Sequence, residues 1–531
     1  MPDSLARSPS PPLRTWQRHA LDRLADWREG PFLISAAPGA GKTRPALEFA
    51  RGLLSAGGAR RVVVLCPTTP LTRQWAAAAA HLGVELQPDA EGPVPPRDFH
   101  GVSVTYARVA TDPGGWAAKL RPDTLVVVDE AHHLGEDLTW GTGFQHAFAA
   151  ARRWLLLSGT PFRSDATPIP GVRYDGDGLA APDVSYTYAE AVADGVCRPV
   201  AFVTFDGSLS WRSGDDVIES SFETVLSARE AGRRYRTAIS TELPDGLPRI
   251  LREADARLRA VRADGHRDAG GLAVAADATH ARQVAKLLGE VTGRKPLVVL
   301  HTEANAARKL HEFRGSREPW IVAVNMVSEG VDIPRLRVGV YATAAKTPLI
   351  FRQIVGRFVR TIPGRAPEPS WLYLPAEQTL RTHASEIETE LRHALRRDEP
   401  DEGFDERPDR RASESSPAAE FLPLSAEFAA QMTLFGPPQP VPPSPSPARP
   451  ATREPAPVAA FERRATLRQE RSRLVAELHR RDGRSHREIN GQVNRAVGVE
   501  RVEEATIQQL ERSIEALVGQ LTHRGRPRGA R

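Results

Sequence analysis

The stretch Pro31–Thr43, PFLISAAPGAGKT, decides how the first part of the chain folds. It begins with a short apolar run typical of a buried strand, and a loop of small residues with Gly39 and Gly41 follows. A helix-like segment begins after Lys42 and Thr43. A strand, a glycine-containing loop and a helix in this order are the context of a phosphate-binding loop, because the glycines let backbone N–H groups face phosphate oxygens.

Individual residues of this stretch have separate predicted roles. Lys42 would reach the β- and γ-phosphates of a nucleotide, and the Thr43 hydroxyl would bind Mg²⁺. The first motif position is Ala36 rather than glycine, a mild departure. The alternative is a Gly/Ala-rich turn that only caps a helix. The segment predicted to contact the nucleotide also includes Pro38, Gly39, Ala40, Gly41 and Arg44.

The composition is that of a globular protein with several domains. The chain has 531 residues, of which 40% are hydrophobic and 26% charged, so three or four domains with buried cores are expected. No apolar run is long enough to span a membrane, and two cysteines, Cys66 and Cys197, exclude a disulfide framework. We therefore predict a cytoplasmic protein. The net charge of +5 is only weak support for a polyanionic partner.

Polar or glycine-containing clusters follow most of the predicted strands of the first part. Short β-rich runs alternate with helical segments, which predicts an α/β fold with a parallel sheet covered by helices on both faces. Ligands of such sheets bind at the C-terminal ends of the strands. The polar clusters therefore indicate an active site at that edge. The further strands predicted here are 61–66, 102–106, 125–128 and 154–157.

Two carboxylates follow the predicted strand 125–128. Asp129 is predicted to hold Mg²⁺ opposite Thr43, and Glu130 is predicted to orient and deprotonate the attacking water. The alternative is an acidic pair that caps a helix.

Gln17, in an amphipathic helix at 13–27, has an amide that would read the adenine edge. For this residue the alternative is an ordinary exposed glutamine.

Five motifs in a fixed order resemble those of superfamily-two DEAD/DEAH helicases and translocases. APGAGKT, DEAH and SGTP lie in the first half, and NMVSEGVDIP and QIVGRFVR lie in the second. The resemblance covers about residues 13–374. It implies an α/β fold with two RecA-like parallel-sheet motor domains in tandem, with ATP in the cleft between them.

The resemblance also assigns roles to residues of the second half. Arg357 and Arg360 would be arginine fingers, since a planar, permanently charged guanidinium stabilises charge on the transferring phosphoryl group. Gln353 would approach the γ-phosphate or the attacking water, and Gly330 and Asp332 would line the cleft. Without the resemblance, the two arginines would be taken for surface residues of a helix.

By analogy with the family, several residues would contact the phosphate backbone of a nucleic acid, although each could equally cap a strand. These residues are Thr68, Arg73, Thr105, Tyr106, His301, Thr302 and Ser328. Three others would couple the nucleotide state to domain closure: His132, Ser158 and Thr160.

Composition shifts predict the domain organisation. The two motor domains are joined by a charged, helical connector, and an acidic and proline-rich disordered linker leads to a small C-terminal helical module. This module would bind either nucleic acid or another protein. The predicted boundaries are a disordered tail at 1–12, motor domain 1 at 13–205, the connector at 206–267, motor domain 2 at 268–397, the linker at 398–457, the module at 458–523 and a basic tail at 524–531.

A five-residue segment in the predicted linker, QMTLF at 431–435, resembles the peptide by which bacterial replication and repair proteins bind the sliding clamp. A tether that presents Gln431, Leu434 and Phe435 suits an apolar pocket. The alternative is that these apolar residues pack on the motor domains.

Together, these features predict an ATP- and Mg²⁺-dependent DNA helicase or translocase that acts in repair, recombination or defence. The first alternative is an RNA helicase, with RNA as the partner in place of DNA. The second is an ATP-gated scaffold that binds nucleic acid without unwinding it. No membrane partner is expected.

Overall fold

The structure is a computed structural model, and it forms two compact units. The first comprises 1–35, 42–185 and 449–531, and the second comprises 36–41 and 186–448. The residues that the structure describes are 12–136, 138–159, 168–175, 180–213, 216–300, 303, 305–324, 333–362, 364–365, 368–395, 421–426, 429–432, 459–502 and 505–523.

The strands are, in chain order, β1 (Gly30–Ala36), β2 (Arg61–Cys66), β3 (Leu86–Pro88), β4 (Gly101–Thr105), β5 (Thr124–Asp129), β6 (Arg153–Ser158), β7 (Val184–Tyr186), β8 (Val200–Asp206), β9 (Leu209–Ser213), β10 (Asp216–Ser220), β11 (Gly270–Ala275), β12 (Leu297–Val299), β13 (Trp320–Val324), β14 (Leu336–Ala342), β15 (Ser370–Pro375), β16 (Phe421–Ala426) and β17 (Ala429–Met432).

The helices are α1 (Thr15–Asp26), α2 (Thr43–Ser55), α3 (Thr69–His81), α4 (Tyr106–Thr111), α5 (Pro113–Lys119), α6 (His133–Glu136), α7 (Leu138–Phe148), α8 (Tyr188–Ala193), α9 (Ala228–Ala238), α10 (Leu247–Ala263), α11 (Ala278–Thr292), α12 (Ala306–Gly315), α13 (Pro348–Val355), α14 (Gln378–Leu395), α15 (Ala460–Asp482), α16 (His486–Val497) and α17 (Ile507–His523). Within the part of the chain that the structure describes, none of them combines the length and the apolar character needed to span a bilayer.

The first sheet has the order β3-β4-β2-β5-β6-β1-β7, and its neighbours from β3 to β1 are all parallel. The central strands read RVVVLC and TLVVVD, and their apolar residues are buried because helices cover both faces of the sheet. On one face, Trp116, Phe144 and Phe148 form an aromatic cluster with ring-centroid distances of 5.4 and 6.0 Å. The core of the unit therefore lies against the strands that lead to the predicted site.

The C-terminal helices α15, α16 and α17 belong to the first unit, where they lie at the edge strand β3. The N-termini of two of them meet carboxylates of that edge. Ala460 N donates to Glu85 Oε2 at 3.1 Å, and Ile507 N donates to Asp98 Oδ2 at 2.6 Å. Arg464, which is 3% exposed, donates to Gln87 Oε1. The helices thus cover a sheet edge that would otherwise present unpaired backbone groups.

The second sheet has the order β12-β13-β11-β14-β15-β8-β17, and its neighbours from β12 to β8 are parallel. The two parallel sheets confirm the predicted fold class of two RecA-like α/β domains. One boundary differs from its prediction: β8 was expected to end motor domain 1, but it pairs with β15 in the second sheet.

The predicted helical connector at 206–267 contains a β-hairpin as well as helices. β9 and β10 pair antiparallel before α9 and α10 begin. Two of the connector arginines, Arg233 and Arg234, are buried. Arg233 pairs with Glu230 at 2.8 Å, and Arg234 donates to the backbone carbonyls of Ser221 and Thr224. These two arginines stabilise the hairpin and do not lie on a solvated helix face.

Within the predicted linker at 398–457, the structure describes two strands. β16 pairs antiparallel with β9, and β17 pairs antiparallel with β8 at the edge of the second sheet. The apolar sequence FLPLSA of β16 provides strand-forming residues that the surrounding acidic and proline-rich composition obscures.

The two carboxylates at the β3 edge predict how the C-terminal helices are held. Glu85→Ala and Asp98→Ala each remove the acceptor of a helix-terminal N–H, and each should weaken the packing of the helices by about 1 kcal/mol. Hydrogen exchange of α15 and α17 in the full chain measures this effect. Glu91→Ala, at an exposed glutamate nearby, is the control. Unchanged exchange in both variants would contradict this account of the edge.

Candidate nucleotide-binding site

The loop between β1 and α2 has the backbone that its glycines predict. Gly39 has φ +81° and Gly41 has φ +88°, in the left-handed region that side chains with a Cβ rarely adopt. α2 begins at Thr43, and its first turn contains no carboxylate that would compete for the positive field of the helix N-terminus. The loop therefore directs Lys42 and the start of α2 to the C-terminal end of β1.

Lys42 and Glu130 form an ion pair within the first unit. Lys42 Nζ lies 3.2 Å from Glu130 Oε1, and the two side chains are 10% and 27% exposed. Burial acts to raise the pKa of Glu130, but the charge and hydrogen bond of Lys42, together with His132 and His133, outweigh it and lower that pKa to about 2. Glu130 is therefore an ionised carboxylate at neutral pH.

The backbone of Glu130 is strained. Its φ is +53°, and Asp89 is the only other non-glycine residue with a positive φ in the described part of the chain. A left-handed conformation costs an ordinary residue about 1–2 kcal/mol, and such strain persists where the surrounding structure enforces it. Here the conformation turns the chain sharply at the end of β5 and directs Glu130 toward Lys42.

Two aromatic residues donate hydrogen bonds to Asp129. Trp75 Nε1 donates to Asp129 Oδ2 at 2.7 Å, and the Tyr106 hydroxyl donates to the backbone carbonyl of Asp129 at 2.6 Å. Both donors are buried. Sequence reasoning missed Trp75, because a tryptophan at helical spacing looks like an ordinary core residue. Tyr106, predicted to contact nucleic acid, is 2% exposed, and its hydroxyl positions Asp129.

His132 connects the acidic pair to the end of β6. Its Nδ1 lies 3.2 Å from Ser158 Oγ and 3.6 Å from Glu130 Oε2. The backbone N–H of Gly159 also donates to Glu130 Oε2, at 3.4 Å. The structure thus brings four predicted site residues into one continuous series of side-chain contacts at the ends of β5 and β6: Lys42, Glu130, His132 and Ser158.

The residues of this edge fit ATP with Mg²⁺. Lys42 has an ammonium at the start of an uncapped helix, which is the arrangement that binds phosphates. Thr43 and Asp129 supply hydroxyl and carboxylate oxygens, the hard ligands that Mg²⁺ prefers. Lys42 would hold phosphate oxygens, while Thr43 and Asp129 would hold the metal ion.

Two other residues predicted to bind the nucleotide have partners at the start of α1 and within α2. Gln17 is 5% exposed, and its Oε1 accepts the backbone N–H of Arg14 at 3.0 Å. It is therefore buried at the start of α1, unlike the exposed glutamine considered as the alternative. Arg44 pairs with Glu48 of its own helix at 2.7 Å, so its guanidinium stabilises α2.

In the second unit, Gln353 lies on α13 and the two predicted arginine fingers follow that helix. Arg357 and Arg360 are half-buried in the irregular segment after α13, so they do not share a helix face. Arg360 forms an isolated antiparallel bridge with Cys197. Residues 36–41 belong to the same unit. The Cys197 thiol donates a hydrogen bond to the Pro38 carbonyl at 3.4 Å. A Cβ added at Gly39 would lie 3.3 Å from Arg360 Cγ.

The residues predicted to contact nucleic acid in the first unit have structural partners. Thr105 caps helix α4 by accepting the backbone N–H of Arg108 at 3.2 Å, whereas the sequence analysis considered a strand cap as the alternative. Arg73 is exposed and pairs with Asp89 at 3.2 Å. Thr68 precedes α3 as its N-cap residue. Arg73 and Thr68 therefore remain predicted contacts of this unit with the phosphate backbone of a nucleic acid.

Several predicted site residues lie outside the described residues. They are Thr160, His301, Thr302, Ser328, Gly330, Asp332, Leu434 and Phe435. Gln431 lies in β17, whose backbone pairs with β8.

Part of the chain matches a known protein family. Residues 10–163 match the family described as "Type III restriction enzyme, res subunit". The matched residues contain the APGAGKT, DEAH and SGTP motifs, which carry the resemblance to superfamily-two helicases and translocases.

Three individual proteins are also similar to this chain. The chain is 44% identical over 396 residues to an uncharacterized protein of Mycobacterium tuberculosis and 42% identical over 399 residues to one of Mycobacterium leprae. Both matches cover 73% of this chain and 65% of the relative, so the chain spans less than two thirds of the length of these relatives. A fragment of a protein assigned as the HsdR subunit of a type I restriction enzyme, from Vibrio vulnificus YJ016, is 16% identical with a TM-score of 0.49, over 70% of this chain and 65% of that one.

The contact between Trp75 and Asp129 predicts a loss of activity when the indole N–H is removed. Trp75→Phe keeps an aromatic ring but leaves Asp129 Oδ2 without this donor. We expect turnover of ATP to fall about tenfold and the Mg²⁺ concentration needed for half-maximal rate to rise. Trp116→Phe, at an equally buried tryptophan that does not contact Asp129, should keep both values. Equal effects of the two substitutions would assign Trp75 to the core alone.

The lowered pKa of Glu130 predicts a pH dependence of stability. A carboxyl whose pKa is lower in the folded protein stabilises the fold above its unfolded pKa, and this contribution is lost as the pH falls through the folded pKa. Relative to Glu130→Gln, the wild-type free energy of unfolding should therefore fall between pH 4.5 and about 2. The expected loss is about 2–3 kcal/mol. Urea unfolding at a series of pH values measures it, and parallel curves for the two proteins would contradict the role of Lys42.

Proposed function

We propose that the chain is a nucleic-acid-dependent ATPase that couples ATP hydrolysis to movement on DNA or unwinding of DNA, in repair, recombination or defence. The observation that supports it best is the connected set of Lys42, Glu130, His132 and Ser158 at the C-terminal ends of β1, β5 and β6. Phosphate binding, activation of water and transmission of the nucleotide state each require one part of this set.

The ion pair suggests how ATP binding would begin the cycle. Before the nucleotide binds, Lys42 neutralises Glu130. Phosphate oxygens would compete for the ammonium of Lys42 and release the carboxylate to accept a hydrogen bond from the attacking water. Mg²⁺, when bound, would neutralise charge on the phosphates. Freed from Lys42, Glu130 would have a higher pKa and would be a better base, as its role in deprotonating water requires.

His132 and Ser158 would carry the change at Glu130 to the segment after β6. His132 contacts both the carboxylate and the serine, so a shift of Glu130 alters the contacts of the histidine ring. In this proposal Thr160 extends the same path, and Arg357, Arg360 and Gln353 act on the γ-phosphate as the family motifs imply. Thr68, Arg73, His301, Thr302 and Ser328 would bind the phosphate backbone, without reading its sequence.

ATP turnover tests the proposed site directly. Lys42→Ala and Glu130→Gln should each lower turnover by about 100-fold or more, because each removes a group that acts on the reacting phosphate or water. Lys119→Ala and Glu91→Gln, at an exposed lysine and an exposed glutamate of the same unit, are the matched controls. Unchanged turnover in the Lys42 and Glu130 variants would refute the site.

The nucleic acid that stimulates turnover distinguishes the proposed activities. We expect stimulation by DNA in an assay that compares single-stranded, double-stranded and forked DNA with RNA. Stimulation by RNA alone would replace the proposal with an RNA helicase. Intact, stimulated hydrolysis without strand separation or displacement of a bound roadblock protein would indicate an ATP-gated scaffold.

The proposed partner for the segment 431–435 is the bacterial sliding clamp. The pairing of β17 with β8 places Gln431 beside Thr204, so clamp binding through Gln431 would compete with the edge of the second sheet. Leu434→Ala with Phe435→Ala should abolish capture of the intact protein by immobilised clamp, whereas Val518→Ala, at an exposed residue of α17, should not. No capture of the unmodified protein would refute this partner.

A further inference from the structure

The C-terminal helices form an arm whose two ends differ in character. α15 has 23 residues, which corresponds to a length of about 34 Å. Its first residue contacts Glu85 at the β3 edge, and the first residue of α17 contacts Asp98 at the same edge. At the other end, Arg481 of α15 donates to the carbonyl of Leu521 of α17. The two helices therefore run side by side, and their C-termini lie far from the sheet.

The far end of this arm is basic. We define the distal tip as residues 479–487, HRRDGRSHR, which contain four arginines, two histidines and one aspartate. Arg480, Arg481 and Arg487 are exposed, as are His479 and His486. The nearby acidic groups are mostly engaged, because Asp482 pairs with Arg484 at 2.6 Å and Glu488 accepts from Ser485. The exposed surface of the tip is therefore positively charged.

The tip has a fixed shape. Arg484 donates to Asp482, to Gln492 of α16 and to Gln520 of α17, so one guanidinium joins three helices. The rings of His479 and His486 pack edge to face with centroids 4.7 Å apart. A small core of Val475, Leu478, Ile489, Val493 and Leu517 lies beneath. The exposed arginines therefore start from a preorganised turn, which lowers the entropy that binding would cost.

We propose that the distal tip is a second nucleic-acid contact site, where Arg480, Arg481 and Arg487 bind the phosphate backbone of DNA. This inference rests on the proposed nucleic-acid-dependent function and extends it to a surface that no motif of the family includes. Guanidinium groups are suited to phosphates, and three contacts without base readout would add affinity but not sequence specificity. Because the arm is anchored at the β3 edge, the tip would hold DNA about 34 Å from that edge.

The alternative is that these arginines only complement the negative ends of α15 and α17. Arg481 donates to the Leu521 carbonyl in the last turn of α17, and Arg480 Nε donates to the Ala476 carbonyl of α15. Arg487 lies in the first turn of α16, at the positive end of that helix, so this alternative does not explain its charge. The experiment must therefore measure DNA binding and not stability alone.

The test is binding of the full chain to a fluorescein-labelled DNA duplex at several salt concentrations. Replacing Arg480, Arg481 and Arg487 by alanine should weaken binding about tenfold or more at low salt and lower the salt slope by about 2–3, one counterion per lost phosphate contact. Replacing the same three by lysine should retain most of the binding. Replacing Arg473, Arg501 and Arg512 by alanine changes the charge of the module equally at exposed positions away from the tip, and should leave the slope unchanged.

The outcomes separate this inference from the proposed function. Failure of the unmodified protein to bind DNA would refute the proposed function, and the tip with it. If the unmodified protein binds DNA but the alanine variant keeps its affinity and slope, the tip is not a contact site. Equal losses in the tip and control variants would show an effect of net charge and would also overturn the inference. Thermal unfolding and DNA-independent ATP turnover of each variant establish that it is folded.

Discussion

The contact between the Lys42 ammonium and the Glu130 carboxylate joins the two motifs on which the first unit is organised. Lys42 ends the loop after β1, and Glu130 follows β5, so the contact requires both strands to end at the same sheet edge. β6 lies between them in the sheet and supplies Ser158 and Gly159. Parallel pairing of β5, β6 and β1 is therefore the constraint that makes the site, and the buried apolar residues of these strands stabilise that pairing.

Buried residues of the first unit position the polar groups around this contact. Trp75 and Tyr106 hold Asp129, and the left-handed backbone of Glu130 directs its side chain away from the strand. The left-handed backbone of Glu130 costs about 1–2 kcal/mol, which the surrounding contacts offset. The resting state of the site is thus a set of satisfied contacts that phosphate oxygens would rearrange.

The sequence predicted the features that depend on local pattern. The β1 loop and the strands that lead to Asp129 and Ser158 follow from apolar runs and from glycine, whose effects act over a few residues. The positions of Trp75, Tyr106 and Gln17 did not follow, because a buried aromatic donor and a core side chain look alike in a sequence. The hairpin β9–β10 was missed because its sequence is rich in charged and polar residues. The strands β16 and β17 were missed because their partners β9 and β8 are distant in sequence and their flanks are rich in charge and proline.

The coverage of β3 by the C-terminal helices also has a consequence for synthesis. The ribosome makes β3 at residues 86–88, but α15 begins only at residue 460. At about 5–20 residues per second, the edge of the first sheet remains uncovered for tens of seconds. During that interval the nascent chain carries an incomplete sheet margin, together with Phe99, which the guanidinium of Arg464 later covers. Molecular chaperones would therefore bind the first domain of the nascent chain. Premature termination of synthesis would leave the same sheet edge uncovered and available for self-association.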